Sequence, residues 1–202
     1  MHFTLEQEDV IKELLNIGVG RAAAALNQII EKPITLHIPT ILIATAFELQ
    51  QKLQQFGNHA LSTVQLPFQG SYNGSATLAF PAETAPKLVE ILTGTSGDGD
   101  ELNAMKVATL TEIGNIVLNG VMGSITNVLS GTLTYTVPTY NECPVTNLFQ
   151  FSNQDDSPIL LWAQTRFTVT DYDISGDIFL VFDSEHLDTI LKAINTMIGQ
   201  LT

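Results

Sequence analysis

The chain has 202 residues, a formal net charge of −13 and only 8 lysines and arginines. That few cations cannot form the clusters that neutralise nucleic-acid phosphates or hold an anionic membrane surface, so neither is a natural partner. With 45% hydrophobic and 14% charged residues, the composition is that of a packed core, and the length suits one domain or two tightly joined ones. Cys143 is the only cysteine, which rules out an internal disulfide and fits a reducing compartment. The most apolar runs, Pro39–Ala46 and Ile159–Ala163, fall far short of the ~20 residues of a membrane-spanning helix. No charged start followed by an apolar core opens the chain, so no secretory signal is expected. These features predict a soluble, cytoplasmic protein.

In chain order, Thr4 and Gln7 form a capping box that starts a long helix running to about Glu31. Val10, Leu14, Ile17, Ala25, Leu26 and Ile29 recur along it at helical spacing. Gly18 and Gly20 lie inside it at a cost of roughly 1 kcal/mol each relative to Ala, which points to a close approach to another backbone or a local irregularity. Strands are predicted over Ile34–Ile43, Ser62–Phe68 and Ser75–Phe80, where β-branched residues are frequent. Phe47–Phe56 reads as an amphipathic helix, and Ala82–Leu92 as a closing helix. Thr93–Asp100, rich in Gly, Ser and Asp, is the hinge to a second half. A second long helix then runs from near Asp100 to about Ser130, with internal glycines at 114, 120 and 123 and Gly131 as its expected cap. Strands follow over Leu133–Tyr140, Ile159–Val169 and Asp177–Phe182, with an irregular loop expected at Asn141–Asp156 and a closing helix at Ser184–Ile198.

The two halves repeat one another. Laid without gaps over Ala108–Pro138, the segment Asp9–Pro39 matches Glu13 to Glu112, Asn16 to Asn115, Ile17 to Ile116, Thr35 to Thr134 and Pro39 to Pro138. Farther on, Gly74, Phe80 and Glu83 match Gly176, Phe182 and Glu185. We therefore expect a single domain of two repeats, residues 1–95 and 100–202, sharing one core.

Asp9, Glu13 and Asn16, spaced i, i+4, i+7, line one helical face. A solvated polar stripe is the ordinary meaning of such a pattern. Its recurrence at identical spacing to a later proline is what sets this one apart. The order Asp9-x3-Glu13-x2-Asn16-x22-Pro39, together with the run Glu13-Leu-Leu-Asn16-Ile-Gly-Val-Gly-Arg-Ala-Ala-Ala-Ala-Leu26, resembles the signature of the CheC/CheX/FliY phosphatases. The second copy keeps Glu112, Asn115 and Pro138 but has Ala108 in place of the acid, a departure that favours the first site.

The resemblance covers essentially the whole chain. It implies an α+β fold: a six-stranded, largely antiparallel sheet with the two long helices side by side on one face, related by a pseudo-twofold axis. It also implies hydrolysis of the aspartyl phosphate of the chemotaxis response regulator CheY. Asn16 and Asn115 would position the attacking water, and Glu13 and Glu112 would pair with the regulator's lysine. Asp9, Pro39 and Pro138 would support them. The chain would need no cofactor of its own, since the phosphorylated regulator brings its Mg²⁺. A monomer is expected, because both sites lie in one chain, and CheD is a further implied partner.

A carboxamide suits this role. It donates and accepts hydrogen bonds and brings no negative charge near phosphoryl oxygens. The competing reading is a non-catalytic scaffold of the flagellar switch, like the FliM middle domain, which resembles this fold without the Glu/Asn pairs. Other chemistry is poorly served. His2, His37, His59 and His186 are scattered without metal-ligand spacing. Gly18-Val-Gly20 lacks the Lys and Ser/Thr of a phosphate loop, no nucleophile elbow is present, and Cys143 has no cationic neighbour in sequence.

Overall fold

The computed structural model describes residues 4–37, 40–55, 59–95, 100–148, 159–169, 172, 174–183 and 186–201. Its elements run α1 (Leu5–Ile30), β1 (Ile34–Leu36), β2 (Thr40–Thr45), α2 (Ala46–Gln55), β3 (Ala60–Gly70), β4 (Gly74–Pro81) and α3 (Ala85–Thr93). They continue with α4 (Asp100–Val128), β5 (Leu133–Tyr135), β6 (Thr139–Pro144), a 3-10 turn (Val145–Asn147), β7 (Ile159–Val169), β8 (Ile174–Phe182) and α5 (Leu187–Leu201).

The capping box predicted for α1 is present. The Thr4 hydroxyl accepts from the Gln7 N–H at 3.2 Å, and the Gln7 side chain accepts from the Thr4 N–H at 2.9 Å. The helix ends where Glu31 turns left-handed (φ 56°) and donates its N–H to the Asn27 carbonyl. In α4 the left-handed residue is Ser130 (φ 52°), not the expected Gly131. The Gly131 N–H instead closes the helix end onto the Thr126 carbonyl at 3.0 Å. Gly131 is required there for space, because a Cβ would lie 2.8 Å from the Tyr72 ring.

The strands form one open sheet in the order β1-β7-β8-β4-β3-β5, with β2 also on β7 and β6 also on β3. Every pairing is antiparallel. The fold is therefore α+β as expected, but the six positions across the sheet hold eight strands. Ile34–Ile43 and Leu133–Tyr140, read as single strands, are each two pieces. In the second, regular pairing lapses over residues 136–138, although the Thr136 N–H still donates to the Pro67 carbonyl at 3.2 Å, and Pro138 has no N–H to donate. Pro39, its counterpart, lies outside the described residues.

Part of the loop expected at Asn141–Asp156 is ordered. Residues up to Pro144 belong to β6, and residues 149–158 lie outside the described set. The sequence missed this strand because it is a polar edge whose order comes from its partner. The Thr63 hydroxyl donates to the Asn141 carbonyl at 3.0 Å, and Leu61 faces Cys143.

The registers of the two halves correspond. Thr40 faces Gln164 and Thr139 faces Gln65, so each residue is displaced by 99 (139 − 40, 164 − 65). The same displacement relates Ile34 opposite Val169 to Leu133 opposite Gly70. The strand order also reads the same when the strands of the two halves are exchanged.

Side chains alternate along the strands between two cores. Val64, Leu66, Phe68, Leu78, Phe80, Phe167, Leu180 and Phe182 join α1, α3, α4 and α5 in the main core on one face. On the other, α2 and the 3-10 turn cover a smaller cluster around Trp162, Phe179 and Val181.

The helix glycines divide by what surrounds them. A Cβ on Gly18 would lie 3.1 Å from the Val121 carbonyl oxygen of α4, and one on Gly114 would lie 2.4 Å from the Val64 side chain of β3. Gly20 and Gly123 have nothing within 4 Å. Gly114→Ala should therefore destabilise the protein by about 1–3 kcal/mol through overpacking. Gly123→Ala should instead stabilise it by about 0.5–1 kcal/mol through helix propensity. Urea denaturation of both variants checks this, and two midpoints shifted in the same direction would refute the assigned contacts.

Candidate functional site

The buried seam of α1 runs through Ile11, Leu14, Leu15, Gly18, Val19, Ala22, Leu26 and Ile30. With that stripe packed inward, helical periodicity leaves Asp9, Glu13 and Asn16 outside, and all three are exposed. The side chains of Glu13 and Asn16 make no hydrogen bond or ion pair among the described residues. Ile17, beside Asn16, is 39% exposed, which puts an apolar contact next to the polar pair.

In α4, Leu110, Ile113, Val117, Leu118, Val121 and Met122 are buried. Glu112 and Ala108 are exposed and Asn115 is half-buried. Asn115 differs from Asn16 in having a partner. Asn119 Nδ2 lies 2.8 Å from the Asn115 main-chain oxygen and 2.7 Å from Asn115 Oδ1. Sequence reading passed over Asn119, although the i, i+4 spacing of two asparagines was there to be seen.

The helices meet where Gly18 faces Val121 and Gly120 faces Ala22. Each Glu/Asn pair lies N-terminal to that contact on its own helix. Pro138 is half-exposed in the break between β5 and β6. Among the described residues, no three His, Cys, Asp or Glu side chains gather as a metal site.

α4 is also tied to the sheet edge near its N-terminal end. Lys106 Nζ lies 2.6 Å from Glu142 Oε1, and the Tyr140 hydroxyl donates to the same oxygen at 2.6 Å. The hydrogen bond from Lys106, followed by the one from Tyr140, holds the Glu142 carboxyl below its ordinary value. The same bond holds the Lys106 ammonium above its own.

The candidate site is helix-borne. Two acid–amide pairs stand on a rigid helix pair, an arrangement suited to reaching into a partner's cleft rather than to enclosing a small substrate. No protein-family model matches the chain. It is 25% identical over 138 residues to the CheY-P phosphatase CheC of Bacillus subtilis (strain 168), a match covering 66% of this chain and 65% of that protein, just under two thirds of its length. Among solved structures, Thermotoga maritima FliY is similar with a TM-score of 0.75 at 16% identity, covering 97% of this chain and 99% of that one. The CheX-CheY-BeF3-Mg+2 complex from Borrelia burgdorferi contains a chain similar at a TM-score of 0.53 and 20% identity (86% and 97% covered). The FliM middle domain from H. pylori is similar at 0.60 and 14% identity (95% and 99% covered). At these identities the structures speak for the fold alone. The chain is thus similar to a CheC protein in sequence and to FliY and CheX in fold. No helix among the described residues is long and apolar enough to cross a membrane.

The Glu142 bonds carry a pH signature. Because the folded carboxyl titrates below its ordinary value, its contribution is fully present above the unfolded value of about 4.3 and is lost as pH falls through the lowered one. With Glu142 47% exposed, solvent screening keeps the contribution to about 1 kcal/mol or less. Glu142→Gln should be less stable than wild type at pH 7, with the gap closing as pH falls below about 4. Denaturant midpoints measured across pH test this, and a gap that widened in acid would contradict it.

Proposed function

We propose that the protein hydrolyses the aspartyl phosphate of a CheY-like response regulator, using Glu13 with Asn16 and Glu112 with Asn115. The chain would be a single domain of two repeats acting as a monomer. The observation that carries the reading is the presentation of Glu13 and Asn16. Both are exposed on a helix whose opposite face is locked into the core, so they can enter a partner's site without local unfolding. The likeness to a CheC protein that is a CheY-P phosphatase supports the same reading.

The chemistry asked of the chain is limited. The Asn16 carboxamide accepts a hydrogen from a water and aligns its oxygen with phosphorus. As the new P–O bond forms, the bond to the aspartyl oxygen breaks, releasing the aspartate carboxylate and inorganic phosphate, which takes up the water's proton. Glu13, one turn away, pairs with a cationic side chain of the partner in a charge-assisted contact that sets the docking register. Mg²⁺ belongs to the regulator and offsets charge on the phosphoryl oxygens there. Ile17 adds apolar contact at the rim.

The likeness to the FliM middle domain favours a second reading, a switch scaffold that binds without catalysing. One assay separates the two: decay of a phosphorylated CheY-like regulator with wild type, Asn16→Ala, Asn115→Ala and the double variant. Phosphatase action predicts faster decay with wild type, a partial loss in each single variant and loss of at least ~100-fold in the double. Wild type that binds the regulator without speeding decay would leave the scaffold reading.

A further inference from the structure

Resting on that reading, we propose that Asn119 is a positioning residue that latches the second site, so that the two sites are unequal by construction and the first dominates. The two carboxamides occupy equivalent places in sequence but not in their hydrogen bonding. Only the nitrogen of Asn119 can donate to a carbonyl, so its 2.8 Å contact with the Asn115 main-chain oxygen orients that amide. The same nitrogen then meets Asn115 Oδ1 at 2.7 Å, so the oxygen end of Asn115 is the end that is held. Asn115 is correspondingly half-buried against its own helix.

On α1, the 99-residue displacement seen in the strand registers puts Gly20 where α4 has Asn119. Gly20 has no side chain to offer, and a Cβ placed there would meet nothing within 4 Å. Asn16 is exposed and unlatched. The held atom is the acceptor that would take a hydrogen from the attacking water. An amide oxygen has two lone pairs, so the bond to Asn119 does not by itself exclude a second donor, but it ties the Asn115 carboxamide to the next turn of α4. Swinging it outward to a partner breaks that bond, whereas Asn16 has no such bond to break. The worth of a single side-chain hydrogen bond corresponds to a rate penalty of about two- to tenfold on the second site.

The test uses the full chain and a CheY-like regulator phosphorylated with acetyl phosphate, reading kcat/KM. In the Asn16→Ala background, where only the second site works, Asn119→Ala should raise kcat/KM by about two- to tenfold. That gain should disappear when Asn115 is also Ala, which a general effect on folding would not do. The converse graft, Gly20→Asn in the Asn115→Ala background, should lower kcat/KM by a similar factor. Both substitutions favour helix over the alternative or sit in open space, so folding is preserved. An unchanged or reduced rate for Asn119→Ala in the Asn16→Ala background overturns the latch while leaving the phosphatase reading in place. Wild type without activity instead defeats the phosphatase reading. The latch is then decided by the Asn115 side-chain amide NMR resonance, assigned by its loss in Asn115→Ala. It should shift on Asn119→Ala, and an unmoved resonance overturns the latch.

Discussion

The arrangement depends on how closely α1 can lie against α4. Gly18 leaves room for the Val121 carbonyl, and any larger side chain there would have to displace backbone rather than a flexible side chain. Gly114 plays the matching role toward the sheet by admitting Val64 beneath α4. With both contacts made, the long helices share one core with β3, β4, β7 and β8. Packing of this density resists small displacements, since interiors have few voids to absorb them.

That constraint is what would let a polar stripe serve as a docking site. A helix buried along Leu14, Gly18, Ala22 and Leu26 cannot rotate about its axis without exposing those residues, so Glu13 and Asn16 keep a fixed outward aim. The same holds for Glu112 on α4, where Ile113, Val117 and Val121 are buried. The proposed hydrolysis, which would ask mainly for a well-placed water, would benefit from such rigidity.

Strand order and register correspond between the halves, yet the two differ around the candidate residues. Ala108 stands where Asp9 would recur, Asn119 stands where Gly20 would, and α2 follows β2 while a 3-10 turn follows β6. Lys106 ties α4 to β6 through Glu142 and Tyr140, whereas the position 99 residues earlier is Gln7, part of the α1 capping box. The differences at Ala108 and Asn119 lie outside the buried core, where a change costs little stability, whereas α2 brings Leu49 and Leu53 into the smaller core.

Much of this was legible from sequence, because the signals are local. The Thr4–Gln7 box, the 3.6-residue apolar rhythm and the β-branched runs are each set within a few residues, and the recurrence of Glu13 and Asn16 at Glu112 and Asn115 shows when the sequence is aligned with itself. They were enough for both long helices and the face that carries the candidate residues, while the α+β class and the antiparallel sheet came with the resemblance. What only the tertiary structure decided are the features supplied by distant partners. The left-handed residue at the end of α4 is Ser130, while Gly131 is kept small by the Tyr72 ring beside it. Asn141–Pro144 became a strand because β3 offered an open edge, and two expected strands split into four pieces. Which helix glycines are contacts and which are merely tolerated depended on where Val121 and Val64 came to lie. The sequence places two asparagines a turn apart, but only the folded helix brings the Asn119 nitrogen onto the Asn115 oxygen. A hydrogen bond depends on ångström-scale geometry that periodicity does not encode.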